Sequence, residues 1–267
     1  MLHRFWLNVR MFVEGARLSY IALFHWLRPT TYVASKVIMP VNQILFFTLL
    51  GVYATSRSNA DFYIIGNSVQ MASISGIYAM TMTIGGDRWA GTLPYLFGIP
   101  TNRLLMYLGR SLFNVFDGMI GVFMGLLFGV IFLGLDLSAT DPLALTIVIL
   151  VTTASTCGMG MALGSLSLIT VNVFFINNVV YFLLIAFSGS NVPLDDLPGW
   201  MRVVSDFLPL TRGIAAARDV INGAHLSDIT GLLAGELLVG VIYTAIGFFM
   251  FRWIEYHARR GGSLERI

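Results

Sequence analysis

Residues 143–168 read LALTIVILVTTASTCGMGMALGSLSL, with no Asp, Glu, Lys or Arg among them. A helix needs about 20 predominantly apolar residues to cross the ~30 Å hydrocarbon core of a bilayer, and this run is long enough. Backbone placed in lipid must satisfy its own N–H and C=O groups, so the segment reads as a helix. The rest of the chain agrees with it. Of 267 residues, 57% are hydrophobic and 11% charged, where a soluble domain carries about 25% charged residues. With a mean hydropathy of +0.79, the chain cannot cover a water-facing surface of its size with charge. It is an integral membrane protein.

Working outward, the polar turn Thr170, Val171 and Asn172 separates this span from a following one over about Val173 to Phe187. Upstream runs cover about Val33 to Ala54, Phe62 to Ile84 and Leu104 to Leu135, and a last one runs from Ile229 to Phe251. The expected fold class is therefore an all-α membrane protein with six transmembrane helices. Ahead of them, Arg10, Glu14, Arg17, His25 and Arg28 fall near one stripe of a helical wheel, with Phe5, Trp6, Val9, Phe12, Val13 and Ile21 elsewhere. That pattern predicts an amphipathic helix over 1–31 lying in the cytoplasmic interface. Its arginines are spread through Met1 to Arg28 with no short apolar core and small-residue cleavage site, so it does not read as a cleaved signal. The transmembrane domain is expected over 32–254 and a tail over 255–267.

Cytoplasmic loops hold the excess of Lys and Arg. With the N-terminus inside, inner segments carry Arg4, Arg10, Arg17, Arg28, Lys36, Arg88, Arg103, Arg110, Arg252, Arg259, Arg260 and Arg266. Outer segments carry only Arg57, Arg202, Arg212 and Arg218, while collecting Asp61, Asp136, Asp141, Asp195, Asp196, Asp206, Asp219 and Asp228. Both termini are thus expected in the cytoplasm, in the cell (inner) membrane.

Several chemistries are excluded. Cys157 is the only cysteine, so there is no disulfide framework or thiolate zinc site, and His3, His25, His225 and His257 lie too far apart for metal-ligand spacing. The net charge of +2 is too small to imply nucleic acid. Lys36 is the only lysine, so the Gly-rich phosphate loop that ends in Lys-Ser/Thr cannot exist on this chain. No Ser/His/Asp set converges at one depth, and no catalytic residue is assigned.

Two carboxylates, Asp117 and Glu236, fall inside spans, where an ionisable group is a functional candidate. Asp117 lies about two turns beyond Arg110 and Glu236 about two turns from the outer end of its helix, placements that suit pairing or an interface as well as proton or cation coupling. Gly121, Gly125 and Gly129, Gly160 and Gly164, and Gly231 and Gly235 form small-xxx-small faces that let helices approach closely, as packing seams or as a moving interface. The polar side chains Asn42, Gln43, Asn67, Gln70, Asn177 and Asn178, with Phe46, Phe174, Phe175 and Tyr181, read either as interhelical hydrogen bonding or as the lining of a central cavity.

Two stretches do not span. Gly85 to Arg103 is too polar at its start to cross and too apolar for a solvated linker, which suits a short amphipathic element docking into a partner's groove. In Ser188 to Asp228, Pro193, Leu197-Pro198-Gly199-Trp200 and Leu208-Pro209-Leu210 break two short helices, Trp200 to Phe207 and Thr211 to Ile221. Backbone of that kind at membrane depth is tolerated only when covered by protein or water, so this re-entrant pair is expected to cap an outer mouth.

The interfacial helix, the six spans, Gly91-Thr92-Leu93 followed by Pro100 and Arg103, and the Ser188-Gly189…Pro193…Leu197-Pro198-Gly199-Trp200…Leu208-Pro209-Leu210-Thr211 series resemble the permease subunits of type 2 ATP-binding-cassette exporters. The likeness covers nearly the whole chain and leans toward the drug-resistance branch. It implies a coupling helix near 86–98 that meets the ATPase subunit through Asp87, Arg88, Trp89, Thr92 and Leu93. Asp87 stands alone where family members carry more acidic residues. It further implies a cavity between two facing permeases lined by the polar and aromatic residues named above, and an outer gate at Pro193, Leu197, Pro198, Trp200, Leu208 and Pro209. No cofactor is expected on this chain, with ATP and Mg on two partner ATPase subunits. A second permease, copy or paralogue, and membrane lipid complete the partners. The implied function is ATP-driven export of a hydrophobic or amphipathic, drug-like compound by alternating access. Glycolipid or polysaccharide export is the alternative, and an ion-coupled secondary transporter using Asp117 or Glu236 is a more distant one, since no inverted repeat is evident.

Overall fold

The computed structural model describes residues 29–89, 103–170 and 172–260, together with Arg10, Val13, Glu14 and Gly91. Every regular element among them is helical. Helix α1 spans Pro29–Ala54, and after a 3-10 turn at Arg57–Asn59 comes α2, Ala60–Gln70. A π turn at Ile74–Ala79 leads from α2 into α3, Met80–Trp89. Helix α4, Arg103–Phe128, closes in a second π turn, Gly129–Leu133. Then follow α5 (Pro142–Leu166), α6 (Val173–Phe187), the short α7 (Gly199–Phe207) and α8 (Thr211–Ile221), and α9 (Thr230–Arg260).

Among the described residues four helices are long and apolar enough to cross a membrane, over Thr30–Ala54, Leu105–Leu133, Pro142–Leu166 and Thr230–His257, and Val173–Phe187 is a shorter apolar one. The span expected over Phe62 to Ile84 is a broken helix. Ser73 donates its hydroxyl to Gln70 O at 2.6 Å, one of the side-chain-to-backbone bonds that compete with a helical ladder. The π turn that follows sets Ser75 and Gly76 against α4 and α5.

Helix α5 is the hub of the bundle. Its most apolar stretch is 67% buried, against 22% in α1 and 17% in α9, as expected for a helix that is apolar on every side. Asp141 starts it, accepting from Leu143 N at 2.9 Å and Ala144 N at 3.2 Å, with Pro142 in the first turn where its missing N–H costs nothing. Its most extensive partner is α9. A Cβ placed on Gly158 would meet Gly240 O at 2.5 Å, and one on Gly240 would meet Ser155 Cα at 2.7 Å, so bare backbone lets these two helices touch. On another face of α5, Gly160 packs directly on Gly76 O. The main core gathers Ile64, Val69, Ile77, Val148, Ile149, Leu184 and Ile214, while Met80, Ile84, Tyr107, Met161, Leu168, Phe251 and Ile254 form a smaller cluster.

Several boundaries differ from the sequence reading. Helix α3 runs on through Gly85 and Gly86 to Trp89, so the start of the expected coupling element continues the second span. Helix α9 continues to Arg260, past the expected start of the tail. Of the interfacial helix expected over 1–31, only Arg10, Val13, Glu14 and residues 29–31 are among the described residues. The two proline-bounded short helices fall where Pro198 and Pro209 place them.

Candidate functional site

The residues expected to line a cavity divide into two groups. On one flank, α1, the π turn and α6 build a patch of aromatics and amides. Tyr181 donates its hydroxyl to Gln43 Oε1 at 2.6 Å, tying α6 to α1. Tyr78 donates to Asn178 Oδ1 at 2.8 Å, and the Tyr78 and Tyr181 rings meet edge to face at 5.8 Å. Phe46, Phe174 and Phe175 stand exposed beside them at 61%, 49% and 70%. Asn42 is exposed on the same helix. Tyr78 was not a candidate in the sequence, because its place on this flank depends on the register change in the π turn.

The other group is buried. Asn67 and Gln70 have no exposed surface. Asn67 donates to Asn191 Oδ1 at 2.8 Å and Ser188 donates to Gln70 Oε1 at 3.3 Å. They hold α2 against the turn that follows α6. Asn177 is buried too, accepting from Thr81 Oγ1 at 3.3 Å.

The short helices split the expected gate residues. Pro193, Pro198 and Trp200 are exposed, Leu197 is half-buried, and Leu208 and Pro209 are buried. One exposed face of α7 is apolar, with Trp200, Val203 and Phe207, while Arg202 and Asp206 stand exposed on another. Leu210 has φ 81° and ψ −34°, a left-handed backbone that costs a bulky residue about 1–3 kcal/mol. Glu236 of α9 sits against it, accepting from Leu210 N at 2.8 Å and Gly213 N at 3.2 Å. The carboxylate thereby takes up N–H groups that the start of α8 would leave without acceptors. At the far end of α8, Arg218 donates to Phe62 O and Gly189 O, each at 2.9 Å, and to Ser190 O at 3.3 Å. Its guanidinium lies 3.6 Å from the Phe62 ring centre.

Asp117 is 6% exposed, and its partner is Lys36, at 2.6 Å from Oδ2. Tyr32 donates to Oδ1 and Ser75 to Oδ2, both at 2.5 Å. Arg110, nearer in sequence, donates to Thr83 O at 3.2 Å. In the sequence Lys36 reads as a flanking cation, and its partner 81 positions away leaves no local signal.

Of the expected coupling residues, Thr92 and Leu93 lie outside the described residues, and Asp87, Arg88 and Trp89 form the last turn of α3. Arg88 donates to Ser167 O and Thr170 O, each at 3.1 Å, which satisfies carbonyls where α5 ends. Among the described residues no group of three or more His, Cys, Asp and Glu could hold a metal ion.

Among the described residues, a helical bundle with a buried ion pair at Lys36 and Asp117, an amide-bearing flank and paired short helices ahead of its last long helix is that of a multi-pass membrane protein. The family model for ABC-2 type transporters matches residues 21–222, and the chain belongs to that family. It is thus the permease component of an ATP-binding-cassette transporter, a component that is not itself an enzyme. The chain is 26% identical over 262 residues, 90% of each protein, to the "Probable doxorubicin resistance ABC transporter permease protein DrrC" of Mycobacterium tuberculosis strains CDC 1551 / Oshkosh and ATCC 25618 / H37Rv.

Proposed function

We propose that the chain is the permease subunit of an ATP-driven exporter that moves a hydrophobic or amphipathic, drug-like compound across the membrane by alternating access. The observation that carries this reading is the flank built by α1, the π turn and α6. Asn42 and Asn178 are exposed there, with Gln43, Tyr78 and Tyr181 half-buried beside them, and exposed amides left in hydrocarbon are costly without a partner or water. Such a flank suits one wall of a cavity completed by a second permease, copy or paralogue. Phe46, Phe174, Phe175 and Tyr181 offer apolar and stacking surface, while Gln43, Asn42 and Asn178 orient polar groups of the cargo. The doxorubicin resistance named for the relatives agrees with that chemistry.

In this reading both termini lie in the cytoplasm, which the distribution of Lys and Arg supports. The Arg88 end then faces two ATPase subunits, which bind ATP and Mg, and the end built by α7 and α8 is the outer mouth. Residues Asp87 to Leu93 meet the ATPase. Closure of the ATPases on ATP is transmitted through α3, and α5 follows because Arg88 holds its last carbonyls. Such a cycle requires the two permease conformations to differ in affinity for the ATP-bound partners. The two intramembrane carboxylates already have structural occupations, Asp117 with Lys36 and Glu236 with α8, which supports ATP rather than an ion gradient as the driving force.

The test is the composition of the complex purified through a tag on this chain from native membranes in mild detergent. Two permeases, at 29.4 kDa for each copy of this chain, with two subunits that hydrolyse ATP, are expected. The same complex in inverted vesicles should accumulate an amphipathic aromatic compound only with ATP. Recovery of this chain alone, with uptake driven by a proton gradient and lost in Asp117→Asn, would overturn the reading.

A further inference from the structure

The fold uses Glu236 and Arg218 on the same short helix. Glu236 projects from α9 and holds the first N–H groups of α8. Arg218, near the other end of α8, grips Phe62 O at the start of α2 and Gly189 O and Ser190 O in the turn after α6. A helix of this length is not stable alone: one face of α8 packs in the main core through Ile214, Ala217 and Val220, and side chains from its neighbours and its own Arg218 hold its two ends. One end is pinned to the last span and the other to the second. The turn in Arg218's grip is also the segment that Asn67 and Gln70 hold through Asn191 and Ser188. Space around the contact is tight: a Cβ on Gly66 would lie 2.7 Å from Arg218 Nη2.

We propose that α8 is a strut, braced by Glu236 at one end and Arg218 at the other, and that these two side chains are positioning residues which make the Ser188–Asn191 turn follow any movement of α9 against α2. Resting on the exporter reading, this turn is part of the outer mouth. The strut links its state to the last span. The strained backbone of Leu210 fits the same role, since it aims the Leu210 N–H at the Glu236 carboxylate and is held there by that bond.

The experiment uses the whole permease–ATPase complex in proteoliposomes, with Cys157→Ala to remove the only cysteine of this chain and Val192→Cys, at the exposed position that follows the turn, as the reporter. Labelling by a membrane-impermeant maleimide is timed with and without vanadate trapping of the ATPase. In the parent, trapping changes the labelling rate. Adding Glu236→Ala or Arg218→Ala raises the resting rate roughly tenfold, the scale of losing a buried hydrogen bond to a charged group, and abolishes the response to trapping while ATP hydrolysis persists. Glu236→Gln, which keeps one acceptor oxygen, falls between parent and alanine. A helix that was merely loosened would label faster and still respond to trapping, and that result overturns the strut. So does a parent that ignores trapping, or alanine variants that label as the parent does. Should an alanine variant fail to assemble, Glu236→Gln and Arg218→Lys carry the test, and unchanged labelling in both overturns it. Altered labelling without ATP-dependent export in the parent would leave the strut standing and remove the exporter reading.

Discussion

Lys36 and Asp117 are each too buried to be left alone. Their side chains are 15% and 8% exposed, and removing one partner of a buried pair leaves a charge in low dielectric. Lys36→Met should destabilise the purified permease by about 3 kcal/mol, the hydroxyls of Tyr32 and Ser75 remaining on the carboxylate. The double variant Lys36→Met with Asp117→Leu should lie closer to the parent than either single change, and a double-mutant cycle followed by denaturation in detergent measures the difference. Asp117 was visible in the sequence because a carboxylate inside an apolar run is conspicuous. Its partner was not, because a lysine near the end of a span looks like any flanking cation. Glu236 stood out for the same reason, and its task stayed hidden because it lies in the backbone of another helix, which residue types do not announce.

Among the elements, the helices bounded by proline were legible and the contacts between helices were not. Pro198 and Pro209 fix local backbone, so α7 and α8 begin where the sequence puts them. Glycine spacing identifies a small face without saying what it meets. Gly160 and Gly164 pack on the second span, at Gly76 and Ile84, whereas a Cβ on Gly231 would touch nothing within 4 Å. The Gly158–Gly240 approach belongs to no glycine repeat and went unseen. Gly240→Ala should therefore cost about 1–3 kcal/mol by forcing α5 from α9, while Gly231→Ala should be neutral or gain up to about 1 kcal/mol from helix propensity. Thermal unfolding of the two variants side by side checks the contrast. The π turn is the other unforeseen element, and it matters because it brings Ser75 to the ion pair and Tyr78 to the amide-bearing flank.

At the scale of the whole molecule, α1 and α9 are both little covered, and their outward faces differ in kind. Over its middle stretch the exposed face of α9 is apolar, at Leu237, Leu238, Val241, Ile242, Ile246 and Phe249. That of α1, with the neighbouring α6, mixes Phe46 and Phe175 with the exposed amides of Asn42 and Asn178. Lipid suits the first and a protein partner the second. Phe46→Ala and Phe175→Ala should each weaken cargo binding to the assembled permease pair roughly tenfold, as losing an apolar contact surface does, while Phe249→Ala should leave it unchanged. Quenching of a fluorescent aromatic cargo titrated onto the complex in detergent reads the difference. The membrane class, the spans and the family likeness were legible because composition and run length act locally. The division of the polar residues into a buried seam and an outward flank was not, because it depends on how broken helices pack.

The ion pair also fixes how the chain meets amine chemistry. Lys36 is the only lysine in the sequence, and its ammonium is held by Asp117 and Ser75. An acylating reagent therefore has one side-chain target, reactive only when the pair parts and the amine sheds its proton. The yield of acylated Lys36, read by mass spectrometry of the peptide that carries it, becomes a chemical clock for the separation of α1 from α4, with no label to install.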